Sequence, residues 1–168
     1  LMKQFADLPW YSTPLNTNDS IDLYAPRLSR SIIADSILKD LDSAISLLNP
    51  YGKAEFLRIN KDAALAFKSR VALYEGTWEK YHAGTPFGVE NADVSKYFKQ
   101  SAAAAEQVIN SGKYNIPVGN DPLWNYWQVF NQTDLSNNPE IILWKKFDAS
   151  QGLSYYTAAG MALQGGNT

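Results

Sequence analysis

A chain of 168 residues with 45% hydrophobic side chains is long and apolar enough to form the core of a single domain. Its 15 basic and 17 acidic residues give a net charge of -2, which argues against nucleic acid or an anionic membrane surface as a partner. The chain contains no cysteine, so disulfides, thiol catalysis and zinc sites built on cysteine are excluded within it.

The N-terminal third predicts a helix end, an extended connection and a first long helix. Residues 1–5 have the pattern of a last helical turn, and prolines with a polar stretch favour an extended or turning connection over residues 8–24. A helix is then predicted over residues 29–48, where Asn49 and Pro50 end it. Its apolar stripe at helical spacing consists of Ile33, Ile37, Leu41, Ala44 and Leu48.

Two further long helices are predicted over residues 60–81 and 93–111. Asn60 and Asp93 are suitable N-caps, and Gly112 is a suitable terminator. The second helix should be packed on two sides, because it has one arc of small residues and one stripe of large ones: Ala63, Phe67, Val71, Tyr74, Trp78 and Tyr81. The three helices recur at a spacing close to the roughly 34-residue period of tetratricopeptide units.

The C-terminal part predicts irregular structure with one β element. Residues 121–130 are dense in aromatic rings and predict a short helix or irregular segment, and residues 140–147 are rich in strand-forming side chains. Residues 152–168 predict a loop. The expected fold class is mainly α: a tetratricopeptide-like helical scaffold with irregular loops over residues 112–168 and a short β element, all within one domain.

Arg70 occupies an unusual position for a charge. A helical wheel places it between the two apolar arcs of its helix, where a guanidinium needs a partner. Asp40 lies at the edge of the apolar stripe of the first long helix. We therefore predict a structural ion pair between Asp40 and Arg70, with ligand contact by Arg70 as the alternative.

The sequence predicts neither a catalytic site nor a metal site or cofactor. Glu75 and Glu79 lie one helical turn apart, as an acid and a base for glycoside cleavage could, but nothing in the sequence tunes them and a solvated face is expected. His82 is the single histidine, so a metal site built on it lacks a second nitrogen or sulfur ligand. Phosphate-binding glycine loops and serine-hydrolase elbows are absent from the sequence.

Aromatic residues in the irregular segments are the candidate ligand contacts. Their rings can stack on sugar faces, and the neighbouring Asn and Gln amides can bond sugar hydroxyls; the alternative is burial in the core. The rings in such segments are Trp10, Tyr11, Trp124, Tyr126, Trp127, Tyr155 and Tyr156, of which the last five are the predicted ligand-binding residues.

Several short segments, in fixed order, resemble one family. They are Leu8-Pro9 after a helix end, Asp40-Leu41 with Ala44, residues 70–74 (RVALY), residues 109–114 (INSGKY) and residues 138–143 (NPEIIL). This order resembles the SusD/RagB-like outer-membrane lipoproteins, which capture glycans or other nutrients at the bacterial surface.

The resemblance implies a non-catalytic protein that binds an oligosaccharide and delivers it to a SusC-like TonB-dependent transporter, as in polysaccharide utilisation. It also implies a surface-exposed outer-membrane lipoprotein with its anchor outside this chain, which would then be a portion of the family domain without its first helices and long C-terminal region. The alternatives are a peptide-capturing member of the family and a helical-repeat scaffold for protein partners.

Overall fold

The computed structural model of the chain describes residues 2–49, 58–116, 121–132, 134–146, 150 and 152. Across these residues the chain is mainly helical, as predicted, and contains no strand. The helices are α1 (Met2–Phe5), α2 (Ser20–Leu23), α3 (Arg30–Leu47), α4 (Lys61–His82), α5 (Val94–Asn110) and α6 (Pro122–Phe130).

The three long helices begin and end within one residue of their predicted bounds. At the starts of α4 and α5 the capping residues act as the sequence indicates. The side chain of Asn60 accepts a hydrogen bond from Ala63 N at 2.8 Å, and that of Asp93 accepts one from Lys96 N at 3.1 Å. Just beyond α5, Gly112 has a φ of +64°, which a glycine adopts without steric strain.

The core is formed where α4 packs against both α3 and α5, so the prediction that this helix is packed on two sides is confirmed. The core consists of Ala34, Leu38, Ala72 and Tyr97, with Met2, Leu41 and Val71 packed against it. Within the described residues, no helix has the combined length and apolar character required to cross a membrane.

The face of α4 that is most buried differs from the predicted stripe of large side chains. Phe67 and Tyr81 are exposed, and the buried positions are Asp62, Ala64, Leu65, Ala72, Glu75, Gly76 and Glu79. The reason is the close approach of α5. A Cβ added at Gly76 would lie 3.0 to 3.1 Å from atoms of Phe98 and Tyr97, so this face accepts small side chains.

The strand predicted over residues 140–147 is not formed in residues 140–146, and Phe147 lies outside the described residues. The segment has turn and irregular backbone, and residues 140–143 line a groove together with residues of α3 and α4. Asn60 Nδ2 donates a hydrogen bond to the carbonyl of Ile142 at 3.0 Å. The strand-like apolar pattern therefore reflects half-buried positions beside α3 and α4, and these described residues do not pair in a sheet.

The connection before α3 is closed by one isolated antiparallel bridge between Leu8 and Leu28. Leu8 N donates to the carbonyl of Leu28 at 3.2 Å, and Leu28 N donates to that of Leu8 at 2.9 Å. Most side chains of residues 9–27, including those of α2, are exposed. The bridge therefore joins the two ends of a surface loop directly in front of α3.

Candidate functional site

The predicted ligand-binding segment is the helix α6. Asp121 caps it, because its Oδ1 accepts hydrogen bonds from Leu123 N at 3.1 Å and from Trp124 N at 3.2 Å. Pro122 occupies the first turn, where a missing N–H costs nothing. The sequence alternatives of a short helix or an irregular segment are thus decided in favour of a helix.

The structure brings two predicted site residues, Trp124 and Trp127, into direct contact on α6. Their rings stack with centroids 4.7 Å apart and an angle of 18° between the planes. The side chains are 54% and 51% exposed. They meet because residues three apart are neighbours on a helix surface.

Tyr126, the third predicted residue on α6, is exposed and packs against Phe130 with ring centroids 4.9 Å apart. The remaining candidates, Tyr155 and Tyr156, lie outside the described residues. In the described part of the chain, α6 shares no extensive contact with another helix. An exposed aromatic patch of this kind is typical of a binding surface.

A second concave surface lies between α3, α4 and residues 140–143. This α3–α4 groove has a volume of about 680 Å³ and is lined mainly by apolar side chains, among them Leu41, Ile59, Phe67 and Ile141. Charged members of the lining are Arg70 and Glu140. Sequence reasoning missed the groove because a helical wheel represents one helix at a time and does not show the space between two helices.

The predicted ion pair between Asp40 and Arg70 is not formed. Both residues are exposed, and neither takes part in an ion pair within the described residues. The helical wheel placed Arg70 between two packed arcs, whereas its surroundings are the open edge of the α3–α4 groove. Water hydrates a guanidinium there, so no protein partner is required.

Among the described residues, the buried cation is Arg30, in the first turn of α3, which is 1% exposed. Its Nε lies 3.0 Å from each carboxylate oxygen of Glu75, and its Nη2 donates to Oε2 at 2.8 Å. Nη1 donates to the carbonyl of Met2 at 3.3 Å, and the guanidinium lies 4.2 Å from the ring centroid of Trp78. Arg30 thus joins the N-terminal segment, α3 and α4.

The expectation of a solvated face for Glu75 and Glu79 is wrong, because they are 0% and 1% exposed. Burial raises the pKa of Glu75; Arg30 opposes this effect and the neighbouring Glu79 adds to it. The sequence does contain a signal for this burial. Glu75 lies one turn after Ala72 and Glu79 one turn after Gly76, and residues as small as these allow another helix to pack closely on the same face.

The candidate site carries no metal-binding cluster in the part of the chain that the structure describes, where no group of three or more His, Cys, Asp or Glu side chains could hold an ion. Comparison of the chain with protein-family models, with curated proteins and with solved structures found no match.

Proposed function

We propose that this chain is part of a non-catalytic nutrient-binding protein of the SusD/RagB type, which holds an oligosaccharide at the bacterial cell surface for a SusC-like TonB-dependent transporter. The observation that carries the proposal is the half-exposed Trp124–Trp127 pair on α6. The three long helices then serve as a tetratricopeptide-like scaffold.

The Trp124–Trp127 pair suits a sugar for a physical reason. One face of each indole is covered by the other ring, and the outward face can accept the apolar C–H face of a pyranose. The exposed amides of Gln128 and Asn131 lie on or next to the same helix and can bond hydroxyls at the sugar edge. No proton transfer is required for such binding, so the proposed activity is capture and delivery.

Trp124→Ala and Trp127→Ala are each expected to weaken binding of the glycan by about tenfold or more, because truncating a central aromatic contact typically costs at least about 1–2 kcal/mol. A glycan array identifies the sugar, and titration calorimetry then measures the change in Kd. Tyr24→Ala is the control, since Tyr24 carries an exposed ring directly after α2.

Unchanged affinity in both tryptophan variants would remove α6 from the binding site, whereas an effect as large in Tyr24→Ala would mean that the loss is not specific. Release of free sugar from the bound glycan by the purified protein would overturn the non-catalytic assignment. Circular dichroism of each variant checks that its helices are retained.

A second candidate function, peptide capture within the same family, is favoured by the α3–α4 groove. Apolar grooves along helices accept peptide side chains, and Arg70 at the groove edge can pair with a peptide carboxylate. Phe67 supplies an exposed ring to the same lining. The groove therefore fits an apolar peptide with one acidic residue or a free C-terminus.

Phe67→Ala and Arg70→Glu test the peptide candidate against a peptide library measured by fluorescence polarisation. If peptides occupy the groove, each change should weaken binding by about tenfold, because one removes an apolar anchor and the other reverses a charge. Leu73→Ala is the matched control on α4, since Leu73 is exposed and does not line the groove. If Phe67→Ala and Arg70→Glu bound peptides as tightly as Leu73→Ala and the wild type do, the groove would be excluded as the peptide site.

A further inference from the structure

Two neighbouring buried carboxyl groups are accompanied by one buried cation, which pairs with one of them. Glu75 and Glu79 lie one turn apart on α4, and both are almost completely buried. The guanidinium of Arg30 binds both oxygens of Glu75. Two ionised carboxylates here would leave one uncompensated negative charge in the protein interior, which is a costly arrangement.

The two oxygens of Glu79 have different surroundings. Oε2 accepts a hydrogen bond from the backbone N–H of Val89 at 2.9 Å. Oε1 is buried and has no hydrogen-bond donor in the described structure, and Glu75 lies one helical turn away on α4. An ionised carboxylate can only accept hydrogen bonds, so neither glutamate can donate to the other until one of them is protonated.

The charged groups on α3 and α5 do not supply that donor. Asp35 of α3 is paired with Lys96 of α5, whose Nζ lies 2.7 Å from Asp35 Oδ2. Tyr97 of α5 donates to the carbonyl of Ser31 at 3.4 Å. Burial, with a smaller contribution from Asp35, raises the pKa of Tyr97, so this phenol stays uncharged and supplies no balancing charge.

The N-terminal segment, the end of α4 and the following loop do not supply it either. Asp7 Oδ1 accepts from Arg30 N at 2.9 Å, and Lys3 lies over the ring of Tyr74. His82 stacks on Trp78 with centroids 3.9 Å apart. Glu90 is exposed. Among the described residues, Arg30 is therefore the cation that reaches the carboxyl pair.

We propose that Glu75 and Glu79 share one proton, bound between Glu79 Oε1 and the Glu75 carboxylate, and that this pair is a proton-binding site that couples the folded state to pH. The proton is taken up from solvent on folding and released on unfolding. With it in place, Arg30 and the pair carry no net charge, and Oε1 has its missing donor.

The proton also acts on the connection between α4 and α5. Two side chains of α4 hold residues 83–93: Glu79 Oε2 accepts from Val89 N, and Trp78 Nε1 donates to the carbonyl of Phe87 at 3.0 Å. Thr85 N and Oγ1 also donate to the carbonyl of His82, at 3.0 and 2.7 Å. Gly88 packs directly on the end of α4, since a Cβ there would lie 2.2 Å from the carbonyl oxygen of His82. Repulsion that displaces Glu79 would therefore break one of the bonds that hold this loop to α4.

The direction of the pH effect follows from linkage. The pKa of Glu75 is raised on folding from its ordinary value of 4.5, so above that pH the folded chain binds more protons than the unfolded chain. Stability from this site is complete at low pH and is lost as pH rises through the folded-state pKa. For one proton, the folding equilibrium constant falls by about tenfold per pH unit in that window.

The test is urea unfolding of the protein and of Glu79→Gln between pH 5 and pH 9. The amide of glutamine donates in place of the shared proton, so folding of the variant no longer requires that proton. The ratio of the folding constant of Glu79→Gln to that of the wild type should therefore rise with pH, by up to about tenfold per pH unit. Glu90→Gln makes the same chemical change at an exposed position of the loop, and its ratio should stay constant. A constant ratio for Glu79→Gln would overturn the proposal.

A spectroscopic readout keeps the proposal testable even if Glu79→Gln does not fold. Infrared difference spectra of wild-type protein should contain the carbonyl stretching band of an un-ionised carboxylic acid at pH values above those at which exposed carboxyl groups ionise, and the band should disappear as pH is raised further. If no such band remained once the exposed carboxyl groups had ionised, the shared proton would be excluded.

Discussion

Arg30→Met is expected to destabilise the protein by about 3–5 kcal/mol, the range found when one partner of a buried ion pair is removed. The variant keeps an unbranched side chain but leaves Glu75 buried without its cation. It also removes the contacts of the guanidinium with Met2 and Trp78. Urea unfolding at neutral pH measures the loss of unfolding free energy.

Lys96→Met is the control for Arg30→Met, because Lys96 forms a partly exposed ion pair with Asp35 and such pairs contribute less than about 1 kcal/mol. Adding Glu75→Leu to Arg30→Met should recover part of the stability, since it removes the uncompensated charge. If Arg30→Met cost no more than Lys96→Met, the ion pair would not be a major source of stability.

Leu38→Ala should destabilise the protein by about 2–5 kcal/mol, whereas Leu47→Ala should change its stability by less than about 0.5 kcal/mol. Both leucines lie on α3, and the chemical change is the same. Leu38 is 2% exposed and belongs to the core, while Leu47 is 84% exposed. Thermal and urea unfolding followed by circular dichroism measure both variants.

The comparison of the two leucines separates burial from helix propensity, because Leu→Ala has the same small effect on propensity at either position. A loss of similar size in both variants would contradict the position of the core between α3, α4 and α5. If Leu38→Ala lost only a little unfolding free energy, the neighbouring side chains would have to fill the cavity left by Leu38 without strain.

Local signals in the sequence were sufficient for the bounds of the long helices. Caps such as Asn60 and Asp93 act within one helical turn, so their effect does not depend on the rest of the fold. The predicted strand failed for the opposite reason. Apolar residues such as Ile141 and Ile142 indicate burial, but whether the covering surface is a sheet or a pair of helices is decided by distant parts of the chain.

The buried ion pair between Arg30 and Glu75 was not predicted, and the cause is again distance along the chain. Arg30 and Glu75 are 45 residues apart and meet because α3 packs on α4. A helical wheel shows each helix by itself, so it favoured Arg70, which is exposed at the edge of the α3–α4 groove. At the candidate binding site, helical spacing alone brings Trp124 and Trp127 into contact.

The Leu8–Leu28 bridge has an evolutionary consequence. Its two hydrogen bonds set the distance between the ends of residues 9–27, so a change of length between those ends need not move α3, α4 or α5. Lengthening such a loop adds little closure entropy, because that term grows only with the logarithm of loop length. Insertions, deletions and new surface chemistry can therefore accumulate at this point while the helical framework is inherited unchanged.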